Sequence, residues 1–153
     1  AKVVALTSTA KKADMLRGMG ADVVLNYRDT PEWSDAVRAA TGGKGVDIVV
    51  ETTGTTLSQS LNACTFGGFV GIIGFVGGQE ATVSIRQIIG PKIRMEGIVV
   101  GSRAMMETML AAIERLNIHP VIAGQYTLAQ AGAALHALQK AEHPGKIIIT
   151  FDA

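Results

Sequence analysis

Cysteine, proline and runs of like charge are scarce in this sequence, and each shortage excludes a class of protein. Cys64 is the only cysteine, so the chain cannot form an intrachain disulfide or a cysteine-rich metal motif, and we expect a reducing, cytoplasmic setting. Only four prolines among 153 residues argue against a disordered or fibrous chain. The formal net charge is +1 without a long basic run, which argues against a nucleic-acid partner.

Long apolar segments and a secretion signal are also missing. The longest apolar runs, such as GFVGIIGFVGG, are too short and too rich in glycine to span a bilayer. The first residues, AKVVALTST, lack the charged and apolar regions of a signal peptide. We therefore expect a soluble protein without a membrane partner.

The residues that are present alternate between two patterns. Short apolar segments alternate with segments at helical period, and 48% of the residues are hydrophobic, which suits one compact α/β domain with one core. This order specifies parallel βαβ units, that is, a doubly wound parallel sheet of the Rossmann-like α/β class. The predicted strands are 2–7, 23–26, 47–51, 69–74 and about 93–100, and the predicted helices are 10–19, 31–41, 56–65 and about 104–116.

The last part of the chain follows a different rhythm. From Ile118 onward the pattern predicts a strand, a helix and a final apolar strand. We place a domain boundary there, so that 1–117 form one domain and 118–153 close the fold or return to another domain. Trp33, in the predicted second helix, is interpreted as a packing residue because aromatic side chains mainly supply apolar surface.

Three predicted strand ends carry small polar residues and glycine. They are ETTG at 51–54, GFVGG at 74–78 and VGSR at 100–103. The carboxyl edge of a doubly wound sheet is where ligands bind, and exposed backbone amides there suit a flat polar ligand. Glycine at a strand end also has a simpler explanation, tight turning, but three such ends together favour a binding site.

These segments resemble a known family. MGADVVLNYRDTPEWSDAVRAATGGKGVDIVVETTG, GGFVGIIGFVGG, MEGIVVGSR and HPGKIIITF are similar, in order and spacing, to the cofactor domain of medium-chain dehydrogenases/reductases. This superfamily includes zinc-type alcohol dehydrogenases and quinone oxidoreductases. The resemblance implies hydride transfer between a nicotinamide cofactor and a small-molecule substrate, which is an alcohol, aldehyde, ketone or activated alkene. It also implies a homodimer or homotetramer formed through the edge strand near 93–100.

The resemblance also explains how the sequence starts. Domains of this family open with a strand followed by a glycine-rich turn, G-x-G-x-x-G or a variant, and no such hexad occurs in these 153 residues. AKVVALTST therefore resembles the second strand of the domain, and we expect a slot where the central first strand belongs. The segment 118–153 would close the fold or return to a missing substrate domain. We expect that the chain by itself neither works as a dehydrogenase nor binds dinucleotides tightly.

The end of the first predicted strand bears on the choice of cofactor. A carboxylate at this place hydrogen-bonds the ribose of NAD and repels the extra phosphate of NADP, but the residue here is Thr7, followed by Ser8. Lys12 lies one helical turn after Ser8, and Tyr27 follows the next strand. Family members that prefer NADP have a similar set, so the resemblance implies NADP (NADPH). The alternative is that Ser8 only caps the helix and Lys12 is only solvated.

The resemblance implies further contacts with the cofactor, and it implies no catalytic residue in this chain. Glu51 is a lone carboxylate at a strand end, which is insufficient for acid–base chemistry. The zinc ligands of the family lie in its substrate domain, so we predict no metal site in this sequence. The predicted nicotinamide-side contacts are Thr53, Gly54, Gly74, Phe75 and Val76, and Gly101, Ser102 and Arg103 are predicted beside the pyrophosphate or the nicotinamide.

Two other functions are compatible with such a sheet. One is a non-catalytic nucleotide-sensing or interaction module, because the fold by itself does not specify chemistry. The other is a methyltransferase-like domain, which predicts an acidic residue at the end of its second strand. The segment 2–7 corresponds to that strand, and Thr7 at its end argues against this function.

Overall fold

The computed structural model describes residues 1–140 and 144–151. The chain divides into two compact units, Ala1–Val100 and Gly101–Ala153. In the first unit the elements are β1 (Val4–Thr7), α1 (Ala10–Gly18), β2 (Val23–Asn26), α2 (Trp33–Ala40), β3 (Val46–Glu51), α3 (Leu57–Ala63), β4 (Cys64–Ile72), α4 (Ile85–Ile89) and β5 (Arg94–Gly97).

The second unit contains the strand, helix and strand that the sequence predicted for the last part of the chain. Its elements are α5 (Arg103–Arg115), β6 (Ile122–Thr127), a short 3-10 turn (Leu128–Gln130), α6 (Ala131–Lys140) and β7 (Lys146–Thr150). Strands β6 and β7 pair in parallel, with Tyr126 opposite Ile149. The domain boundary after residue 117 stays a prediction.

Parallel strands joined through helices build the first unit, as predicted. Strand β1 pairs with β2, and β3, β4 and β5 form a second sheet in that order. Their last residues lie level, because Thr7 pairs with Asn26 and Glu51 pairs with Ile72. The doubly wound, Rossmann-like fold class is therefore confirmed, and the strand ends of each sheet meet at one edge.

A cleft separates the two sheets of this unit. Among the described residues no strand pairing joins β1 to β3, and a cleft of about 1720 Å³ is lined by both strands. Ile48 and Val50, on one face of β3, are 65% and 63% exposed. Apolar side chains of a parallel strand are normally covered. The cleft lies where the sequence predicted the slot.

The prediction of a single core is wrong, because the buried residues described form two clusters. The first contains Leu61, Cys64, Val70 and Ile93 around β4. The second contains Trp33, Val37 and Ala63, where α2 and α3 pack on β1, β2 and β3. The physical reason is that α2 packs on β1, β2 and β3 whereas β4 packs with Ile93 and α3, so that α3, through Leu61 and Ala63, contributes to both clusters. The prediction that Trp33 is a packing residue is confirmed.

Three differences from the predicted elements are larger than two residues. Strand β4 starts at Cys64, directly after α3, whereas the predicted strand started at 69. Strand β5 ends at Gly97 and is shorter than predicted. Helix α4 was not predicted, although Ser84 and Gln87 form a capping box at its start. Gly67 and Gly68 interrupt the apolar pattern of β4, and α4 and β5 are short, which explains the three differences.

Candidate functional site

The first part of the candidate site is the end of β1. Thr7 is buried, and its carbonyl accepts a hydrogen bond from the N–H of Tyr27, with an N···O distance of 3.0 Å. Thr9 is the N-cap of α1, since its hydroxyl accepts from the N–H of Lys12 at 3.3 Å. The alternative that Ser8 caps this helix is therefore wrong.

This arrangement places three polar side chains next to the paired ends of β1 and β2. Ser8 directly precedes the N-cap of α1 and Lys12 lies on its first turn, both half-buried, and Tyr27 is exposed where β2 ends. None of the three carries a negative charge, and a hydroxyl, an ammonium and a phenol can each donate a hydrogen bond to an anion. Their roles in cofactor binding stay predictions.

The second part of the site consists of two loops at the carboxyl ends of neighbouring strands. One loop, residues 52–54, follows β3, and the other, residues 74–78, follows β4. We call these two loops the strand-end platform. The parallel register that pairs Glu51 with Ile72 brings the loops side by side. The predicted contacts Thr53, Gly54 and Gly74 therefore lie in the same pair of neighbouring loops as Phe75 and Val76.

Backbone hydrogen bonds join the two loops of the platform. The N–H of Val76 donates to the carbonyl of Thr52 at 3.3 Å. The N–H of Gly77 donates to the carbonyl of Thr53 at 2.9 Å. Each bond connects one loop to the other, so the position of the second loop depends on the direction of the carbonyl groups in the first.

The glycines of the platform permit this close approach of backbone to backbone. A Cβ on Gly54, whose φ is +83°, would lie 2.5 Å from the carbonyl oxygen of Gly78. A Cβ on Gly74 would lie 2.8 Å from the carbonyl oxygen of Thr52. Both distances are too short for real contacts, so glycine is required for contact between the loops and not only for turning.

The outer end of the platform is apolar and open. Phe75 and Val76 are 65% and 88% exposed, although both residue types usually lie inside proteins. Exposed apolar side chains beside backbone polar groups are typical of a surface that receives a flat, partly aromatic ligand.

Glu51 holds the first loop of the platform through hydrogen bonds, and the sequence interpretation missed this. Its carboxylate is 3% exposed and accepts from the N–H groups of Thr53 and Gly54, at 2.8 and 3.0 Å, and from the hydroxyls of Thr56 and Ser60. Burial by itself raises the pKa of the Glu51 carboxyl, but these hydrogen bonds together outweigh burial and lower the pKa below its ordinary value. Glu51 is therefore an ionised acceptor rather than a proton donor. The run of hydroxyl residues after Glu51 was the available signal.

The remaining predicted contacts lie in the second unit. Ser102 is the N-cap of α5, and its hydroxyl accepts from the N–H of Met105 at 3.3 Å. The Nε of Arg103 donates to Glu107 on the same helix at 2.8 Å. Gly101 precedes the cap. Contact of these residues with a cofactor stays a prediction.

The described residues offer little for metal binding or nucleophilic chemistry. Within 1–140 and 144–151, no group of three or more His, Cys, Asp or Glu side chains could hold a metal ion. Burial raises the pKa of the Cys64 thiol to about 11, which keeps it a neutral thiol at physiological pH. No helix in these two ranges has both the length and the apolar character to cross a membrane.

Parallel βαβ units and a glycine-lined platform at the carboxyl edge define a Rossmann-like nucleotide-binding class of domain. A sequence model of the family described as "Zinc-binding dehydrogenase" matches residues 1–115. The chain belongs to this family, which lies within the superfamily of zinc-type alcohol dehydrogenases and quinone oxidoreductases.

Three similar proteins illustrate the match. A zinc-type alcohol dehydrogenase-like protein of Schizosaccharomyces pombe is 32% identical over 157 residues, which cover 99% of this chain and 45% of that protein. A crystal structure assigned as an alcohol dehydrogenase from Sinorhizobium meliloti 1021 superposes with a TM-score of 0.91 at 32% identity, over 99% of this chain and 44% of that one. A mycobacterial protein solved in complex with NADPH has a TM-score of 0.80 at 26% identity, over 97% and 48% of the two chains. This chain thus spans less than half the length of each.

Proposed function

We propose that this chain forms the NADP-binding part of an oxidoreductase that transfers hydride between the nicotinamide and an alcohol, aldehyde, ketone or activated alkene. Membership of the zinc-binding dehydrogenase family supports the oxidoreductase class. When bound, the cofactor supplies the hydride chemistry, and the protein supplies binding and orientation.

The end of β1 carries the choice of NADP over NAD, because family membership does not decide it. The strand ends at Thr7, so no carboxylate lies there to accept the ribose hydroxyl of NAD or to repel a 2′-phosphate. Since Thr9 caps α1, the hydroxyl of Ser8 is not engaged as the helix cap. We assign Ser8, Lys12 and Tyr27 to the 2′-phosphate, where charge-assisted hydrogen bonds are strongest.

The strand-end platform fits the nicotinamide end of such a cofactor. The absence of side chains at Gly54 and Gly74 lets the two loops pack against each other, and exposed Phe75 and Val76 offer apolar contact to a ring. A zinc ion has no corresponding place, because the described part of this chain has no cluster of metal-ligating side chains. Any metal-dependent step would use residues outside the part described.

The proposal predicts a specific effect of Lys12→Ala in the full natural chain. Removing the ammonium group should weaken NADPH binding about tenfold, because one charge-assisted contact with the phosphate is lost. NADH binding should change little. Fluorescence titration with both cofactors measures this, and Lys11→Ala, which removes an exposed lysine from the same helix, is the matched control.

Two results would contradict the assignment. One is NADH binding as tight as NADPH binding in the unmodified protein, and the other is an equal loss for both cofactors in Lys12→Ala. A hydride-transfer assay with carbonyl and activated-alkene substrates tests the enzymatic half of the proposal. Tight NADPH binding without turnover of any of them would favour a nucleotide-sensing module instead.

A further inference from the structure

Glu51 is a buried carboxylate without a cationic partner. It is 3% exposed, and neither of the two ion pairs in the described part of the chain includes it. Burying a charge is costly unless hydrogen bonds replace the lost water. A charged residue at position 51 therefore needs an explanation beyond the formation of the turn that follows β3.

The two carboxylate oxygens have different partners. Oε1 accepts from the N–H of Thr53 at 2.8 Å and from the N–H of Gly54 at 3.0 Å. Oε2 accepts from the hydroxyl of Ser60 on α3. The hydroxyl of Thr56 lies within hydrogen-bond distance of both oxygens, at 2.9 and 3.1 Å. One oxygen thus holds the loop of 52–54, and the other is held by the helix.

At the start of α3, the side chain of the N-cap residue binds this carboxylate and does not cap the helix. Thr56 occupies the N-cap position, where a threonine hydroxyl usually accepts from the backbone of the first turn. Here the Thr56 side chain makes no capping bond and donates to Glu51 instead. The Thr56 hydroxyl therefore stabilises the Glu51 carboxylate and not the first turn of α3.

The peptide units 52–53 and 53–54 link Glu51 to the second loop, because each binds Glu51 through its N–H and the second loop through its C=O. In a trans peptide the N–H and the preceding C=O point in opposite directions, and no peptide bond in the described chain is cis. Because Oε1 holds the N–H of Thr53, the carbonyl of Thr52 points away from it and accepts from Val76. Because Oε1 also holds the N–H of Gly54, the carbonyl of Thr53 points away and accepts from Gly77.

We propose that Glu51 is a positioning residue that, through the peptide units 52–53 and 53–54, sets where the loop of 74–78 stands and so where Phe75 and Val76 meet the nicotinamide. The inference rests on the proposed function, since it concerns the same site. It assigns no acid–base role to Glu51, whose carboxylate is hydrogen-bonded to Thr53, Gly54, Thr56 and Ser60. Its negative charge aligns two peptide dipoles and thereby strengthens both bonds to the second loop.

The experiment compares Glu51→Gln with Ser60→Ala in the full natural chain. The amide side chain introduced by Glu51→Gln is neutral and must turn either its oxygen or its NH₂ group toward the two N–H donors. Ser60→Ala removes a buried partner of Oε2 and leaves both peptide contacts in place, so it is the matched control. Amide hydrogen exchange at Val76 and Gly77 reports on the loop without any ligand. Fluorescence titration with NADPH and with adenosine 2′,5′-bisphosphate, which lacks the nicotinamide half, reports on the site.

We expect Glu51→Gln to accelerate amide exchange at Val76 and Gly77 and to weaken NADPH binding about tenfold, with adenosine 2′,5′-bisphosphate binding within about twofold of the original. Ser60→Ala, which removes one partner of Oε2 and leaves both peptide N–H contacts of Oε1, should have a clearly smaller effect on all three. If Glu51→Gln does not fold, Glu51→Asp, whose shorter side chain cannot hold both N–H groups from the same place, replaces it with the same expectation.

Other results would overturn the inference. Unchanged exchange at Val76 and Gly77 in Glu51→Gln would show that the peptide units do not depend on the carboxylate. Equal weakening of both ligands, or an equal effect of Ser60→Ala, would show a general loss of structure. Binding of neither ligand by the unmodified protein would instead overturn the proposed function, and this inference with it.

Discussion

At the scale of single residues, backbone geometry explains more of this site than side-chain chemistry does. Gly54 has a φ of +83° and stands against the carbonyl of Gly78. Gly67 also has a positive φ, of +74°, but a Cβ there would meet nothing within 4 Å. The two glycines share a conformation and differ in their surroundings. Only the first is required for the contact between the platform loops.

This difference predicts unequal effects of two identical substitutions. Gly67→Ala should lower the free energy of unfolding by about 1 kcal/mol, the cost of a left-handed residue with a side chain. Gly54→Ala should lower it by about 2–4 kcal/mol, because the clash with the Gly78 carbonyl adds to that cost. Urea denaturation of the full natural chain measures both. Equal losses would show that the platform loops move apart easily.

At the scale of elements, β5 is the exposed edge of its sheet. Among the described residues it pairs with β4 alone, through the register from Phe69 opposite Arg94 to Ile72 opposite Gly97. The residues that follow it, Val99 and Val100, are 86% and 95% exposed. An edge strand presents unpaired backbone groups, and apolar residues beside it make an attractive surface for another strand.

We propose that this edge pairs with its counterpart in a second subunit, so that the full natural chain forms a homodimer or a homotetramer. Val99→Lys should then shift the mass in light scattering toward the monomer at micromolar concentration, since a desolvated charge opposes association. Met19→Lys, at an exposed position at the end of α1, is the control and should change nothing. A monodisperse monomer of the unmodified chain would contradict the proposal.

At the scale of the whole molecule, the first unit leaves apolar strand surface uncovered. Strands β1 and β3 both line the cleft, and neither finds a second strand partner among the described residues. Ile48 and Val50 face away from the cluster around β4. Unpaired backbone and exposed β-branched side chains both lower stability. The cleft also separates the end of β1 from the end of β3, which the proposed cofactor must connect.

These features predict the behaviour of the 153-residue chain when it is produced by itself. It should bind NADPH weakly, because no G-x-G-x-x-G turn is present to hold the diphosphate between the two ends of the cofactor. It should also unfold with low cooperativity. NADPH fluorescence titration and thermal unfolding measure both properties. Micromolar binding together with cooperative unfolding would show that a strand in the cleft is dispensable.

Local pattern in the sequence determined the elements and the fold class. Strand β2 lies where a short apolar segment predicted it, and the predicted helices fall within a few residues of their periodic segments, because the local side-chain pattern is enough to select helix or strand. It also indicated which loops end at the binding edge. It could not tell Ser8 from Thr9 as the cap of α1, since both residue types serve equally well.

Only the tertiary structure decided how these local pieces act on one another. The loops of 52–54 and 74–78 are separated along the chain and meet because β3 and β4 pair in register. In the sequence Glu51 is only a single carboxylate at a strand end, and its function as the anchor of the platform depends on that meeting. The division of the buried residues into two clusters depends on which helices pack on which strands. Pairing across the chain is a long-range choice, made by burial and backbone hydrogen bonding together, and no short segment encodes it.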